Sequence, residues 1–171
     1  MTTPKFGAQS IKKVAELSWR PVHIISYISS SIGGVIKPAG FENAQGIMSA
    51  NYAKDAADGR WKNDSGIKKF AEFMDKYFPD GDKTDGATLY VYGVAQTLVQ
   101  TIQQCGDELT RENFMRQAAN LKNLQIDTFL PGIKINTSPT DFFPIEQLQM
   151  ERLTGDHWEM FGDILDGEVG D

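Results

Sequence analysis

The sequence predicts an α/β fold made of two βαβ-like blocks and a C-terminal β-hairpin. Residues 22–28, VHIISYI, are apolar almost throughout, which is typical of a parallel strand covered on both faces. Several later segments repeat apolar residues at the spacing of an amphipathic helix, and residues 145–165 alternate around a turn. The 171 residues are enough for one domain or for two smaller lobes.

The first block follows the order helix, strand, helix, strand. A helix is expected over 6–17, where Ile11 and Val14 share a face. The strand at 22–28 leads into SSSIGG and a short helical stretch. GIMSANY, at 46–52, is the second strand, so 22–52 is predicted to be a βαβ unit.

The second block begins after a polar, turn-rich stretch near 52–64 and is mainly helical. One amphipathic helix is expected over 65–78. Asp85 is the predicted N-cap of the next helix, which Gly106 ends, and Thr110 caps a third. The expected buried face of the middle helix consists of Val91, Val94, Ala95, Leu98, Ile102 and Cys105.

The remainder is extended and rich in proline up to about residue 144. IEQLQMERL and HWEMFGDIL then flank a turn at Thr154, Gly155 and Asp156, which is the pattern of a hairpin.

Charge and composition narrow the function classes. The formal net charge of -6 argues against binding to nucleic acid or to an anionic membrane surface. No apolar run approaches membrane-spanning length. The N-terminus lacks the pattern of an export signal, which by itself predicts a cytoplasmic location unless a signal lies outside this chain. The single cysteine, Cys105, permits no internal disulfide.

Residues that could carry catalysis are few. His23 and His157 lack partners at metal-ligand spacing, so no metal site is expected. Ser29, Ser30 and Ser31 have no nucleophile-elbow motif around them, and the glycine motifs that hold nucleotide phosphates are absent. We therefore expect no catalytic residue and no cofactor, and a serine hydrolase is the weakest alternative.

The position of the three serines gives a binding hypothesis. In open α/β sheets, ligands bind beyond the carboxyl ends of parallel strands, and SSSIGG begins where 22–28 ends. Small hydroxyl groups there suit an uncharged or zwitterionic ligand. Equally, the serines could only turn the chain and cap the next helix.

Three long stretches give the chain a family resemblance: KKVAELSWRPVHIISYISSSIGGVIKPAGFENAQGIMSANYAKD, YVYGVAQTLVQTIQQCGDELTRENFMRQAANLKNL and LPGIKINTSPTDFFPIEQLQMERL. Together they resemble the type I periplasmic substrate-binding proteins of ABC importers, and in particular the leucine/isoleucine/valine-binding branch. The resemblance implies a two-lobed fold with a small molecule held in the cleft. It also implies a periplasmic location and a membrane permease as partner.

The resemblance implies a division of the chain. Residues 1–51 and 147–171 would belong to the C-terminal lobe, and 53–145 to the N-terminal lobe. Crossings would lie near 51–54 and 144–147, with Asn51, Tyr52, Ile145 and Glu146 as hinge residues.

Tyr90 and Tyr92 point in different directions on a helix, because residues two apart differ by about 200°. By the family pattern, YGVAQ places Tyr92 at the ligand-facing position, and Tyr90 is expected to pack. Ser29, Ser30 and Ser31 match the loop that reaches into the cleft.

The functional expectation is a ligand-binding component, C-terminal portion, of an importer for branched-chain amino acids or related amides and carboxylates. Family members are longer, so we expect incomplete lobes with open strand edges that need a second copy or a companion fragment. The alternatives are a remnant or interaction module that cannot bind ligand alone, and a sensor lobe.

Overall fold

The fold is that of a mixed α/β protein, seen in a computed structural model that describes residues 3–167. The longer helices are α1 (Pro4–Glu16), α3 (Ser65–Tyr77), α4 (Gly86–Gln104) and α5 (Arg111–Ala118). A π-helical turn, Ile32–Ile36, continues into the short helix α2 (Lys37–Ala39). The strands are β1 (Met48–Asn51), β2 (Gln147–Thr154) and β3 (His157–Asp166). No helix among the described residues is long and apolar enough to cross a membrane.

The predicted starts of α3, α4 and α5 are confirmed and side-chain caps explain them, whereas α1 begins at Pro4, two residues before its predicted start. Asp85 caps α4 by accepting a hydrogen bond from the N–H of Ala87, and Thr110 caps α5 by accepting one from the N–H of Asn113. Asp64 plays the same part for α3. Gly106 follows α4 with φ at +58°, a conformation that glycine adopts at no steric cost.

The sheet is antiparallel and has the order β1-β2-β3. The predicted hairpin is confirmed, with a two-residue turn because Thr154 pairs directly with His157. β2 begins two residues later than predicted, at Gln147. The end of the predicted C-terminal lobe beyond residue 167 lies outside the described residues, as do residues 1 and 2.

The predicted parallel strand at 22–28 is wrong in extent. Only one parallel bridge forms, between Ile24 and Met48. The hydroxyl of Ser49 donates to the carbonyl of Ile25, and a 3-10 turn begins at Tyr27, so the ladder stops. Within residues 3–167 this stretch has β1 as its only strand neighbour, and Val22 is 79% exposed. The expected covering on both faces is therefore not found.

The buried side chains form three clusters. The first joins α1, the 32–39 segment and the hairpin through Trp158 and Leu153. The second is centred on Tyr52 and the 121–135 stretch, and the third lies between α3 and Leu89. The first cluster falls within the predicted C-terminal lobe and the other two are centred on the predicted N-terminal lobe. The division of the chain into two lobes, with its boundaries, stays a prediction.

The hairpin contacts both parts. Leu153 and Trp158, near its turn, belong to the first cluster, whereas Leu148 and Ile164, near its open end, pack against the second. The predicted crossing near 144–147 lies where the chain enters β2.

The predicted buried face of α4 is wrong for most of its length. Val91, Val94, Leu98 and Ile102 are all exposed, and only Cys105 of the predicted large residues is buried. The helix contains no charged residue in 86–104. The apolar residues of α4 do repeat at helical spacing, but within the described residues little packs over the face that they form.

Candidate functional site

A cavity of about 320 Å³ lies where the 27–34 loop, the first crossing and the start of α4 meet. Its walls come from residues 27–34, 51–55 and 85–90, with Pro4 of α1 at one edge. This is the place where the sequence predicted a ligand crevice, just beyond the end of the 22–28 stretch. The apolar part of the wall includes the rings of Tyr27, Tyr52 and Tyr90.

The three serines have different surroundings. Ser30 is buried at the cavity wall, where its hydroxyl donates to the Tyr27 carbonyl at 2.8 Å. Ser31 also lines the cavity, and its Oγ accepts hydrogen bonds from the N–H groups of Gly34 and Gly86. Ser29 is fully buried and lies under α1 against Gly7, outside the cavity lining. Two of the three predicted serines are therefore brought to the cavity.

Trp158 contacts the loop formed by residues 27–34, which contains the three serines and is called the serine loop below. Its indole Nε1–H donates to the Ser30 carbonyl at 3.0 Å, and the ring is 1% exposed. The Trp158 backbone N–H donates to Oδ2 of Asp58, which also pairs with Arg60. The hairpin is thereby hydrogen-bonded to Ser30, one of the residues that line the cavity.

Asn51 connects the first crossing to the same loop. Its Nδ2 donates to Ser30 Oγ at 3.1 Å, and its Oδ1 accepts from the N–H groups of Tyr52 and Ala53. Tyr52 packs edge-on against the rings of Tyr27 and Phe129. Burial raises the pKa of the Tyr52 hydroxyl, and the nearby Tyr27 and Tyr90 add to this.

Asp55 is a site residue that the sequence analysis missed. Its Oδ2 accepts from the N–H of Ile32 at 2.6 Å and its Oδ1 from the N–H of Ala57 at 2.8 Å. Burial raises the pKa of the Asp55 carboxyl to about 6, against the lowering effect of these two hydrogen bonds. No motif marks this residue, because it lies in a polar, turn-rich stretch that is predicted to be a loop or crossing segment.

Glu151 lies buried behind the cavity wall on β2. Its Oε1 is 3.5 Å from Asn51 Nδ2. Burial raises the pKa of Glu151 to about 8, although the Asn51 hydrogen bond opposes the shift. At neutral pH this carboxyl is therefore mostly protonated and adds little negative charge to the site.

The charged groups that face the cavity are mainly acidic. Asp55 and Asp85 both line it. Lys54 lines it as well, but its ammonium group donates to Asp64 Oδ2 and to the Asp127 carbonyl, each at 2.8 Å. The ammonium group is thus already hydrogen-bonded within the protein. The carboxylates of the two aspartates add hydrogen-bond acceptors to the cavity wall.

The structure places the two tyrosines the other way round from the prediction. Tyr92 is half-buried and packs against the rings of Phe70 and Phe73. Tyr90 is 50% exposed and lines the cavity. The family pattern had indicated Tyr92, yet α4 turns that ring toward α3. Of the two rings, Tyr90 is therefore the one that borders the cavity.

The predicted hinge residues lie at both crossings. Asn51 ends β1, and Tyr52 is buried beside it. Ile145 packs against the second core cluster, and the Glu146 carbonyl accepts a hydrogen bond from the N–H of Gly167. Neither Ile145 nor Glu146 lines the cavity. Their hinge role stays a prediction.

Among residues 3–167, no group of three or more His, Cys, Asp or Glu side chains is placed to hold a metal ion. His23 and His157 lie apart, at the Ile24 bridge and at the hairpin turn.

No known protein-family model matches the chain, and no curated protein matches it in sequence. The structure, in contrast, matches solved substrate-binding proteins of ABC transporters. At 10–19% identity these matches establish the fold of that class.

Three of the matched structures illustrate the range. A branched-chain amino acid ABC transporter protein from Thermus thermophilus, solved with bound valine, has a TM-score of 0.74 at 18% identity, over 93% of this chain and 43% of its own. A substrate-binding protein from Aeropyrum pernix has a TM-score of 0.76 at 10% identity, over 98% and 44%. A fatty acid ABC transporter substrate-binding protein from Thermomonospora curvata has a TM-score of 0.62 at 19% identity, over 97% and 42%. The chain spans less than half the length of these proteins.

Proposed function

We propose that this chain forms part of the ligand-binding cleft of an ABC importer's substrate-binding protein. The observation that carries the proposal is the cavity between the serine loop and the start of α4, in a fold shared with such proteins. The proposed ligand is a branched-chain amino acid or a related small amide or carboxylate. One matched structure, of a branched-chain amino acid ABC transporter protein, contains bound valine.

The chemistry of the wall supports a small ligand with an apolar body and hydrogen-bond donors. The rings of Tyr27, Tyr52 and Tyr90 offer contact area for an aliphatic side chain. The carboxylates of Asp55 and Asp85 accept hydrogen bonds from an ammonium or amide group. Ser31 and Asn51 add polar groups at the same wall, and Tyr90 is the proposed ring contact on α4.

The proposed mechanism is closure without reaction chemistry. Residues 3–51 and 147–167 move as one lobe against 53–145, and the crossings at Asn51–Tyr52 and Ile145–Glu146 absorb the bend. The ligand favours the closed arrangement because it contacts both sides of the cavity there. The closed surface is then presented to a membrane permease, which places the working protein in the periplasm.

The exposed face of α4 favours a second candidate. Val91, Val94 and Leu98 are uncovered, and a groove beside them is lined by Phe114 and Phe142 among others. Large exposed apolar surfaces mark interaction sites. In this candidate the chain is an interaction module that binds ligand only when a second copy or a companion polypeptide covers that face.

Isothermal titration of L-valine, L-leucine and a urea-like amide tests the proposal, with the mass in solution measured alongside. We expect micromolar binding that Tyr90→Ala weakens by about tenfold or more, since a buried aromatic contact contributes more than 1.4 kcal/mol. Tyr77→Ala is the matched control, because Tyr77 is an exposed tyrosine outside the cavity. If titration of the folded monomer gives no heat of binding, the result favours the interaction module instead.

A further inference from the structure

Gly33 and Thr84 contact each other, and each is the chain neighbour of a residue that lines the cavity, Gly34 and Asp85. Gly33 lies in the π-helical turn Ile32–Ile36, and Thr84 lies just before α4. A Cβ added at Gly33 would be 2.5 Å from the Thr84 carbonyl oxygen and 2.7 Å from its Oγ1. Real Cβ atoms essentially never come this close to other heavy atoms, so only glycine permits the observed approach.

A hydrogen bond joins the same two segments. Ser31 Oγ accepts from the N–H of Gly34 at 3.2 Å, within its own turn, and from the N–H of Gly86 at 3.4 Å, in the first turn of α4. One hydroxyl oxygen therefore serves backbone donors on both sides of the cavity. The second of these bonds is long, so it is a contact that can open.

These contacts lie away from the chain crossings. Residues 31–34 belong to the proposed C-terminal lobe and residues 84–86 to the proposed N-terminal lobe. The first crossing connects the lobes covalently at 51–54. Directly after it, Asp55 accepts a hydrogen bond from the N–H of Ile32. Gly33 and Thr84 are not connected locally in the chain, so their separation is set by how far the lobes close.

We propose that the Gly33–Thr84 contact and the Ser31–Gly86 hydrogen bond form a clasp that sets the closed position of the two lobes. This inference rests on the proposed function, because it assigns a closing contact to the proposed cleft. Gly33 is a positioning residue here, since it acts on the ligand through the closed state. A methyl group at Gly33 would hold Thr84 back and leave the lobes partly open.

The test measures closure directly and does not require a ligand. Nitroxide labels at Lys12→Cys on α1 and Lys68→Cys on α3 report the distance between the two parts, in a Cys105→Ala background. Both lysines are exposed. Gly33→Ala is expected to shift the distance distribution outward. Gly59→Ala is the control, because a Cβ there meets nothing within 4 Å and its φ is not in the left-handed region.

Ser31→Ala supplies a second variant that removes one acceptor without adding bulk, and it is expected to shift the distribution outward by less than Gly33→Ala. An unchanged distribution in folded Gly33→Ala and Ser31→Ala proteins would overturn the clasp. Titration with L-valine then separates the two proposals. If the unmodified chain binds valine, Gly33→Ala is expected to raise the Kd in proportion to the lost closed fraction, about tenfold for a tenfold loss. If the unmodified chain shows no binding while the labels still move apart in Gly33→Ala, the clasp stands and the proposed ligand function fails.

Discussion

The Asp55 carboxylate accepts a hydrogen bond from the backbone N–H of Ile32 at 2.6 Å, which ties the first crossing to the serine loop. The other Asp55 oxygen accepts from the N–H of Ala57 and so closes its own turn. Asn51 makes a parallel connection four residues earlier, through Ser30 Oγ. The cavity wall is therefore built directly onto the segment that the proposed closure would bend.

Asp55→Ala should loosen this connection. Removing the acceptor leaves the Ile32 N–H without its partner, at a cost of about 1–3 kcal/mol in the free energy of unfolding. Amide hydrogen exchange should show faster exchange at Ile32 in particular, and urea denaturation should give the global loss. Asp107→Ala, at an exposed position in the loop after α4, should change stability by less than about 0.5 kcal/mol. Equal exchange at Ile32 in the two variants would show that Asp55 does not hold the loop.

Stability should fall as pH rises. Burial raises the pKa of Glu151 from 4.5 to about 8 and that of Asp55 from 3.8 to about 6. Over these windows the folded protein keeps protons that the unfolded chain has released, so unfolding becomes easier with increasing pH. Each group contributes a slope of up to about 1.4 kcal/mol per pH unit. The stabilising contribution of each group is complete below its pKa in the unfolded chain. It is lost as the pH rises through its pKa in the folded protein.

Glu151→Gln should remove most of the Glu151 part of this dependence. The amide cannot ionise, so thermal denaturation at pH 5 and pH 8 should give more similar midpoints than in the unmodified chain. Glu72→Gln, at an exposed position on α3, provides the comparison and should keep the original slope. If stability instead rises from pH 5 to pH 8, Glu151 and Asp55 are not held in the protonated form.

Trp158→Phe should lower stability and release the serine loop. The phenyl ring keeps part of the packing but cannot donate to the Ser30 carbonyl, and the smaller ring leaves space in a core position. The loss of the hydrogen bond alone should cost about 1–3 kcal/mol, since the carbonyl is buried. Trp19→Phe is the matched control because Trp19 is 61% exposed. Similar urea midpoints for the two variants would argue against this role of the indole N–H.

Leu98→Glu should reduce association of the chain. Leu98 lies on the exposed apolar face of α4 and lines its groove, so a charge there should weaken both self-association and binding of a hydrophobic dye. Sedimentation at several concentrations measures the first effect and fluorescence the second. Gln103→Glu adds the same charge to an exposed polar position of the same helix. A chain that is monomeric and dye-free before substitution would contradict this prediction.

Local rules explain most of what could be predicted. The caps at Asp85 and Thr110 and the hairpin turn each depend on a few neighbouring residues, and all three are found in place, whereas the buried face predicted for α4 is not. Ser30 and Ser31 line the cavity beyond residues 22–28, although the parallel strand on which that expectation depended is reduced to one bridge.

Features that depend on distant partners were not predictable in the same way. The 22–28 stretch has strand composition, but its backbone pairing with β1 is limited to one bridge, between Ile24 and Met48, because the chain turns away at Tyr27. Tyr90 and Tyr92 have the same chemistry, and only the packing of α3 decides which one faces the cavity. Asp55 acts through a residue 23 positions away and carries no sequence signal.

Calorimetric titration of L-valine into the purified chain and its Tyr90→Ala variant measures directly whether the cavity binds a ligand. We expect micromolar binding by the unmodified chain, a Kd raised about tenfold or more in Tyr90→Ala, and little change in Tyr77→Ala. A folded chain that binds valine equally well with and without the Tyr90 ring would contradict the proposed site. A folded chain that binds none of valine, leucine and the amide would contradict ligand binding by this chain alone.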